Sequence, residues 1–207
     1  MFNICAEKLN KMKVTLIIVS CLISLGLFSQ YKTNKMLSET ETPKYETIKS
    51  YDKFEIRKYP EMILATTKLG GESYSKNSNK GFRNVASYIF GGNDENIKIS
   101  MTSPVIASVE DSMTMSFIIP SKYDLNELPL PDNDNVELKV QPERLMAIIS
   151  FDGFANDSDI KLYTKILKEE LVKEGICAKG KVYFQGYDPP FKLYNRTNEV
   201  AIELLKL

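Results

Sequence analysis

Residues 54–65 read FEIRKYPEMILA and residues 136–147 read VELKVQPERLMA. At an offset of 82 the two stretches share Glu55/Glu137, Pro60/Pro142, Glu61/Glu143 and Ala65/Ala147, with apolar matches around them, and Gly71 and Gly153 fall on the same offset. Self-similarity of this kind marks a duplicated structural unit. Each copy reads as an alternating strand, a Pro-Glu turn and a second strand, because proline cannot donate to a central ladder and so marks a break.

Working outward, the next element of each copy is helical. Phe82, Val85, Ala86 and Ile89 recur at helix spacing before Gly91-Gly92; Ile160, Tyr163, Leu167 and Leu171 do so after Ser158, an N-cap residue type, and before Gly175. Two strands follow each helix. A shift of 85 places Ser103-Pro104 on Asp188-Pro189 and Met113 to Ile119 on Asn198 to Leu204, which implies three extra residues between the second helix and its third strand. Two such units hide their apolar faces against each other. The expected fold is α+β: a pseudo-twofold, distorted eight-stranded antiparallel barrel made of two ββαββ repeats, about 44–120 and 134–207, with two flanking helices.

Composition narrows the function. Lys+Arg and Asp+Glu balance at 27 each in 207 residues, which gives no electrostatic case for nucleic acid. Histidine is absent, so Ser-His-Asp and Cys-His catalysis are excluded, together with the commonest metal ligand. No paired carboxylates or activated lysine stand out, and the chain is not expected to be an enzyme. Of Cys5, Cys21 and Cys177 only the last falls in the periodic region, where it reads as a small core residue. Asp132-Asn133-Asp134-Asn135 lacks the glycine and distal glutamate of a calcium loop and reads as a polar turn between the halves.

The N-terminus has a different character. Val14 to Phe28 is uncharged and follows Lys8, Lys11 and Lys13, the arrangement of a signal peptide or membrane anchor over 1–29, and Met12-Lys13 makes a typical signal start. Ile18-Val19-Ser20-Cys21 resembles a bacterial lipoprotein box with Cys21 as the lipidated residue. Residues 30–43 read as a polar tether to a domain over 44–207. Export or membrane attachment is the expected location.

Several stretches of that domain resemble the SOUL/heme-binding protein family: KISMTSPV at 98–105, MSFIIP at 115–120, GYDPP at 186–190, RTNEV at 196–200 and the opening YETIKSYDKFEIRKY from Tyr45. The resemblance implies the duplicated barrel and the binding of heme or a related tetrapyrrole for transport, buffering or scavenging. It places a ligand groove along the outer face of the first helix and the loop before the last strand. Here that means Lys80, Arg83, Asn84, Ser87 and Tyr88, with Phe191 and Lys192 after GYDPP. Lys80 and Lys192 would meet the two propionates. Lacking histidine, the chain could offer Tyr88 or Met101 as axial ligand, or the iron could go without one. The alternative is a SOUL-fold structural or protein-interaction domain at the membrane that no longer binds heme, motivated by the polar face of the first helix. The second helix, with Lys161, Lys165, Lys168 and Glu169, reads as a charged solvent face.

Overall fold

The computed structural model describes residues 12–28, 31, 40–71, 73–110 and 112–205. Residues 12–28 form a helix, α1, which carries Cys21; among the described residues no helix is long and apolar enough to cross a membrane. Cys5 lies outside the described residues.

Thr40–Leu207 is one compact unit. Its strands are β1 (Glu46–Ser50), β2 (Glu55–Tyr59), β3 (Met62–Lys68), β4 (Val105–Ser108), β5 (Thr114–Ile118), β6 (Val136–Gln141), β7 (Arg144–Asp152), β8 (Ala178–Gly186) and β9 (Thr197–Leu204). Helix α2 (Tyr74–Ile89) follows β3, and α3 (Asp157–Lys173) follows β7. All strands join one antiparallel curled sheet in the order β1-β2-β7-β9-β8-β4-β5-β3-β6. The duplicated α+β architecture is borne out, with one addition: β1 is a ninth strand, exposed along its length, whose sequence ETIKS has no apolar alternation to betray it.

The order of strands is a twofold palindrome. Exchanging β2, β3, β4, β5 with β6, β7, β8, β9 reproduces it, and the registers follow. Glu55 pairs with Ile148 while Glu137 pairs with Thr66, and Leu64 pairs with Ile118 while Met146 pairs with Glu203. The strands on either side of Pro60-Glu61 are not a hairpin: β2 pairs with β7 and β3 with β6, so each copy lends its first strand to the other.

The shift of 85 holds for the last strands but not for the third. Val105 pairs with Phe117 and Val182 with Ile202, so Val105 corresponds to Val182, at an offset of 77. Ser103-Pro104 precedes β4 whereas Asp188-Pro189 follows β8, so they are not equivalent turns. They are neighbours instead, with the Ser103 hydroxyl donating to the Tyr187 carbonyl at 3.1 Å. The local axis runs through the Ala107/Phe184 pair, the one position of the β4–β8 ladder that maps onto itself.

Both helices cover the same sheet face. Val85, Ala86, Tyr88 and Ile89 pack with Ala65, Phe117 and Ile119; Ile160, Leu167 and Leu171 pack with Ala147, Phe184, Val200 and Ile202. The cap of α3 is Asn156, not Ser158: its side chain accepts from the N–H groups of Ser158 and Asp159 while Asp159 reaches back to the Asn156 N–H. Cys177, expected in the core, is exposed in the short α3–β8 connection.

The other sheet face carries Tyr59, Leu64, Ile106, Ile118, Met146, Ile148 and Ala201 around a buried ion pair. Arg57 donates to both oxygens of Glu199, at 3.1 and 3.0 Å, and to the Tyr59 oxygen at 3.2 Å, while Tyr187 donates to Glu199 at 2.6 Å. Glu41 is bonded into the same unit, its carbonyl accepting from the Ser103 N–H and its carboxylate from the Ser121 N–H, both at 2.9 Å.

Candidate functional site

On α2, residues 81, 85, 88 and 89 share the face turned to the sheet, as spacing of three and four residues requires. Tyr88, expected on the outer ligand face, therefore lies inside. It is 1% exposed, and its hydroxyl donates to the Pro129 carbonyl at 3.1 Å. Burial, reinforced by Asp94, pushes the phenol up to about 12. A phenol so placed is a core hydrogen-bond donor and not a free axial ligand.

Asn84 is half-buried and donates to the Thr67 hydroxyl at 3.2 Å. Lys80, Arg83 and Ser87 do form an exposed outer stripe, and among the described residues the side chains of Lys80 and Arg83 take part in no hydrogen bond or ion pair. Met101 is half-buried and packs against the cluster beneath α2, a filling role for its thioether.

The β8–β9 loop, 187–196, is held by Asp188 and Arg196. Arg196 donates to the carbonyls of Pro189, Lys192 and Asp188 at 2.7, 2.8 and 3.1 Å and lies over the Phe154 ring. Asp188 accepts from the Thr197 N–H at 2.6 Å and from Lys192 at 2.6 Å. Lys192, expected as a free propionate partner, is thus matched by a nearly fully buried carboxylate. Phe191, Leu193 and Tyr194 stand exposed around it. Among the described residues no polar contact joins Phe191 or Lys192 to Lys80, Arg83, Asn84 or Ser87.

A formed groove lies elsewhere. A space of about 730 Å³ runs along α3, with Val109, Ile160 and Val182 lining it together with Lys161, Lys165, Lys168 and Lys173. Its wall opposite α3 is the β4–β5 end, where Glu110 accepts from the Val182 N–H at 3.1 Å and from Lys168 at 3.3 Å. Lys165 and Lys173 face Glu169 and Glu170 at 3.9 and 2.8 Å, in exposed pairs that water and salt weaken. Under the internal twofold, this groove corresponds to the strip between α2 and the β8–β9 loop. The second helix is therefore not merely a solvated face. Its lysines hide, in a linear reading, that Ile160 and strand residue Val182 lie at their feet.

Chemically, the groove offers apolar surface, ammonium groups and carboxylate or hydroxyl oxygens. Among the described residues no three His, Cys, Asp or Glu side chains gather as a metal site. The Asp132–Asn135 segment is a turn in which the Asn133 side chain accepts from the Asn135 N–H at 3.0 Å.

Against known proteins, the sequence model of the SOUL heme-binding protein family matches residues 40–203. Human "Heme-binding protein 2" is 32% identical over 156 residues, covering 71% of this chain and 76% of the relative; pig "Heme-binding protein 1" is 25% identical over 180 residues, covering 81% and 94%. Among solved structures, the EcmrR C-terminal domain aligns with a TM-score of 0.58 at 10% identity over 79% of this chain and 99% of that one, a likeness of fold alone. The chain belongs to the SOUL heme-binding protein family.

Proposed function

We propose that this SOUL-family chain binds heme or a related tetrapyrrole reversibly, as a carrier or buffer and not as a catalyst. The relatives named for heme binding support the ligand class. The observation that carries the reading to a place is the α3 groove: its apolar lining suits the flat ring, and its lysines suit two propionates. Its volume falls within the roughly 300–1,000 Å³ usual for small-molecule sites. The groove lining contains no His, Cys, Met or Tyr, so iron would meet only carboxylate or hydroxyl oxygens or a lysine amine. Loose coordination of this kind suits handing the ring on.

A second seat, on the α2 strip, is favoured by the unpaired Lys80 and Arg83 and by exposed Phe191. Titrating the chain with hemin and following the Soret band tests both. A saturable shift at micromolar protein is expected, weakened about tenfold by Lys161→Glu with Lys165→Glu if α3 is the seat, the size of one or two charge-assisted contacts. The same loss on Lys80→Glu with Arg83→Glu instead moves the seat to α2. With no saturable shift in the parent chain the heme reading fails, and a stoichiometric protein partner in a pull-down would favour a structural domain.

The uncharged run 14–28 supports export or membrane attachment as part of the same proposal. Mass spectrometry of the protein from its host reads it directly: a cleaved N-terminus or a lipid on Cys21 is expected, and an intact unmodified chain in the soluble fraction overturns it.

A further inference from the structure

We propose that Arg144 anchors a separate site, at the start of β7, for an oxyanion carried on an apolar body. Arg144 opens β7 and is 8% exposed, yet its Nε and Nη1 are buried without a hydrogen-bond partner. The Tyr183 ring, 4.8 Å from the guanidinium carbon, answers its π-face but none of its N–H donors. A buried guanidinium normally finds a carboxylate, as Arg57 does with Glu199 on the same face. The acids beside Arg144 are already matched: Glu143 holds Lys58 at 2.9 Å and Glu203 holds Lys179 at 3.0 Å.

The fold does not demand a cation here. At the equivalent position of the first copy stands Met62, so a methionine fills the same place in the palindromic register. Arg144 also lines two spaces. One, of about 10 Å³ among Tyr59, Ile106 and Gln185, holds no more than a water. The other is an open groove of about 550 Å³, where Ile48, Leu145, Leu204 and Leu205 supply apolar wall beside Arg144. A planar fork of donors with apolar surface beyond it fits a carboxylate or phosphate head on an aliphatic body. No lining residue is shared with the α3 groove, so this site stands or falls independently of heme binding.

The test uses the full chain, with sodium octanoate and inorganic phosphate as probes. Octanoate at millimolar concentration is expected to move the Arg144 Nε–Hε resonance and to raise Tm. Arg144→Met, which restores the residue of the first copy, should abolish both effects and leave the hemin titration unchanged. Arg144→Lys assigns the resonance by its disappearance, should the Met variant fail to fold. Phosphate acting as strongly as octanoate overturns the apolar-body part of the proposal; a resonance that neither probe moves overturns the site.

Discussion

The carboxylate of Asp157, in the first turn of α3, caps the other helix: it accepts from the Ser73 hydroxyl at 2.8 Å and from the Tyr74 N–H at 2.7 Å. The Ser75 N–H adds a third bond at 3.3 Å. One acid thus serves the positive ends of both helices.

Removing it has a predictable cost. Asp157→Ala should lower stability by about 1–2 kcal/mol, the range for a lost N-cap. Burial alone would raise this carboxyl, but the Ser73, Ser75 and Tyr74 hydrogen bonds more than offset it and hold it below its ordinary value. Its contribution is therefore full above the unfolded pKa near 4 and lost as pH falls through the lower folded value. Urea midpoints measured from pH 7 down to 3 should drop more steeply for the parent than for Asp157→Asn.

The Arg57–Glu199 pair behaves differently. Glu199→Gln removes the buried anion of Arg57 and leaves it only the partly exposed Glu55 carboxylate, so the cost should approach the roughly 3–5 kcal/mol of a broken buried pair. Replacing both partners with Met and Leu should recover much of that loss. Chemical denaturation of the two singles and the double forms the cycle, and additive losses would contradict a coupled pair.

Tyr88→Phe separates core from ligand. Loss of the hydroxyl leaves the Pro129 carbonyl unbonded, at about 1 kcal/mol, and should leave the hemin spectrum unchanged. Burial raises Tyr88 and Tyr59 to about 12, so the native state keeps protons that the unfolded chain sheds near 10. Stability accordingly falls as pH rises from about 10 to 12, and the Phe variant should lose part of that slope.

Gly81 marks where α2 lies tightest on the sheet. A Cβ there would come within 2.6 Å of the Leu69 side chain and 3.1 Å of Met115. Gly81→Ala should destabilise by about 1–3 kcal/mol through overpacking, outweighing the gain of about 1 kcal/mol in helix propensity. A higher urea midpoint in the Ala variant would show that the contact relaxes freely.

The duplication could be read from FEIRKYPEMILA and VELKVQPERLMA because packing repeats each copy's inward positions. The third strand was misplaced because Ser-Pro and Asp-Pro are interchangeable as text, whereas the Val105 and Val182 registers are set by partners far away in sequence. The candidate site was legible in part: Lys80, Arg83 and Ser87 are outward, but helix phase turns Tyr88 in and Asp188 claims Lys192. Arg144 carries no local signal at all. Its lack of a partner exists only once strands distant in sequence converge.

The exchange of first strands has a consequence for the chain's origin. A single ββαββ copy cannot complete its own sheet, since, β1 apart, β2 pairs only with β7 and β6 pairs only with β3. An unduplicated ancestor would have lived as a handclasp of two identical chains, each closing the other. Fusion of such a pair into one chain would free the two halves to diverge, as Met62 and Arg144 do at places the twofold relates.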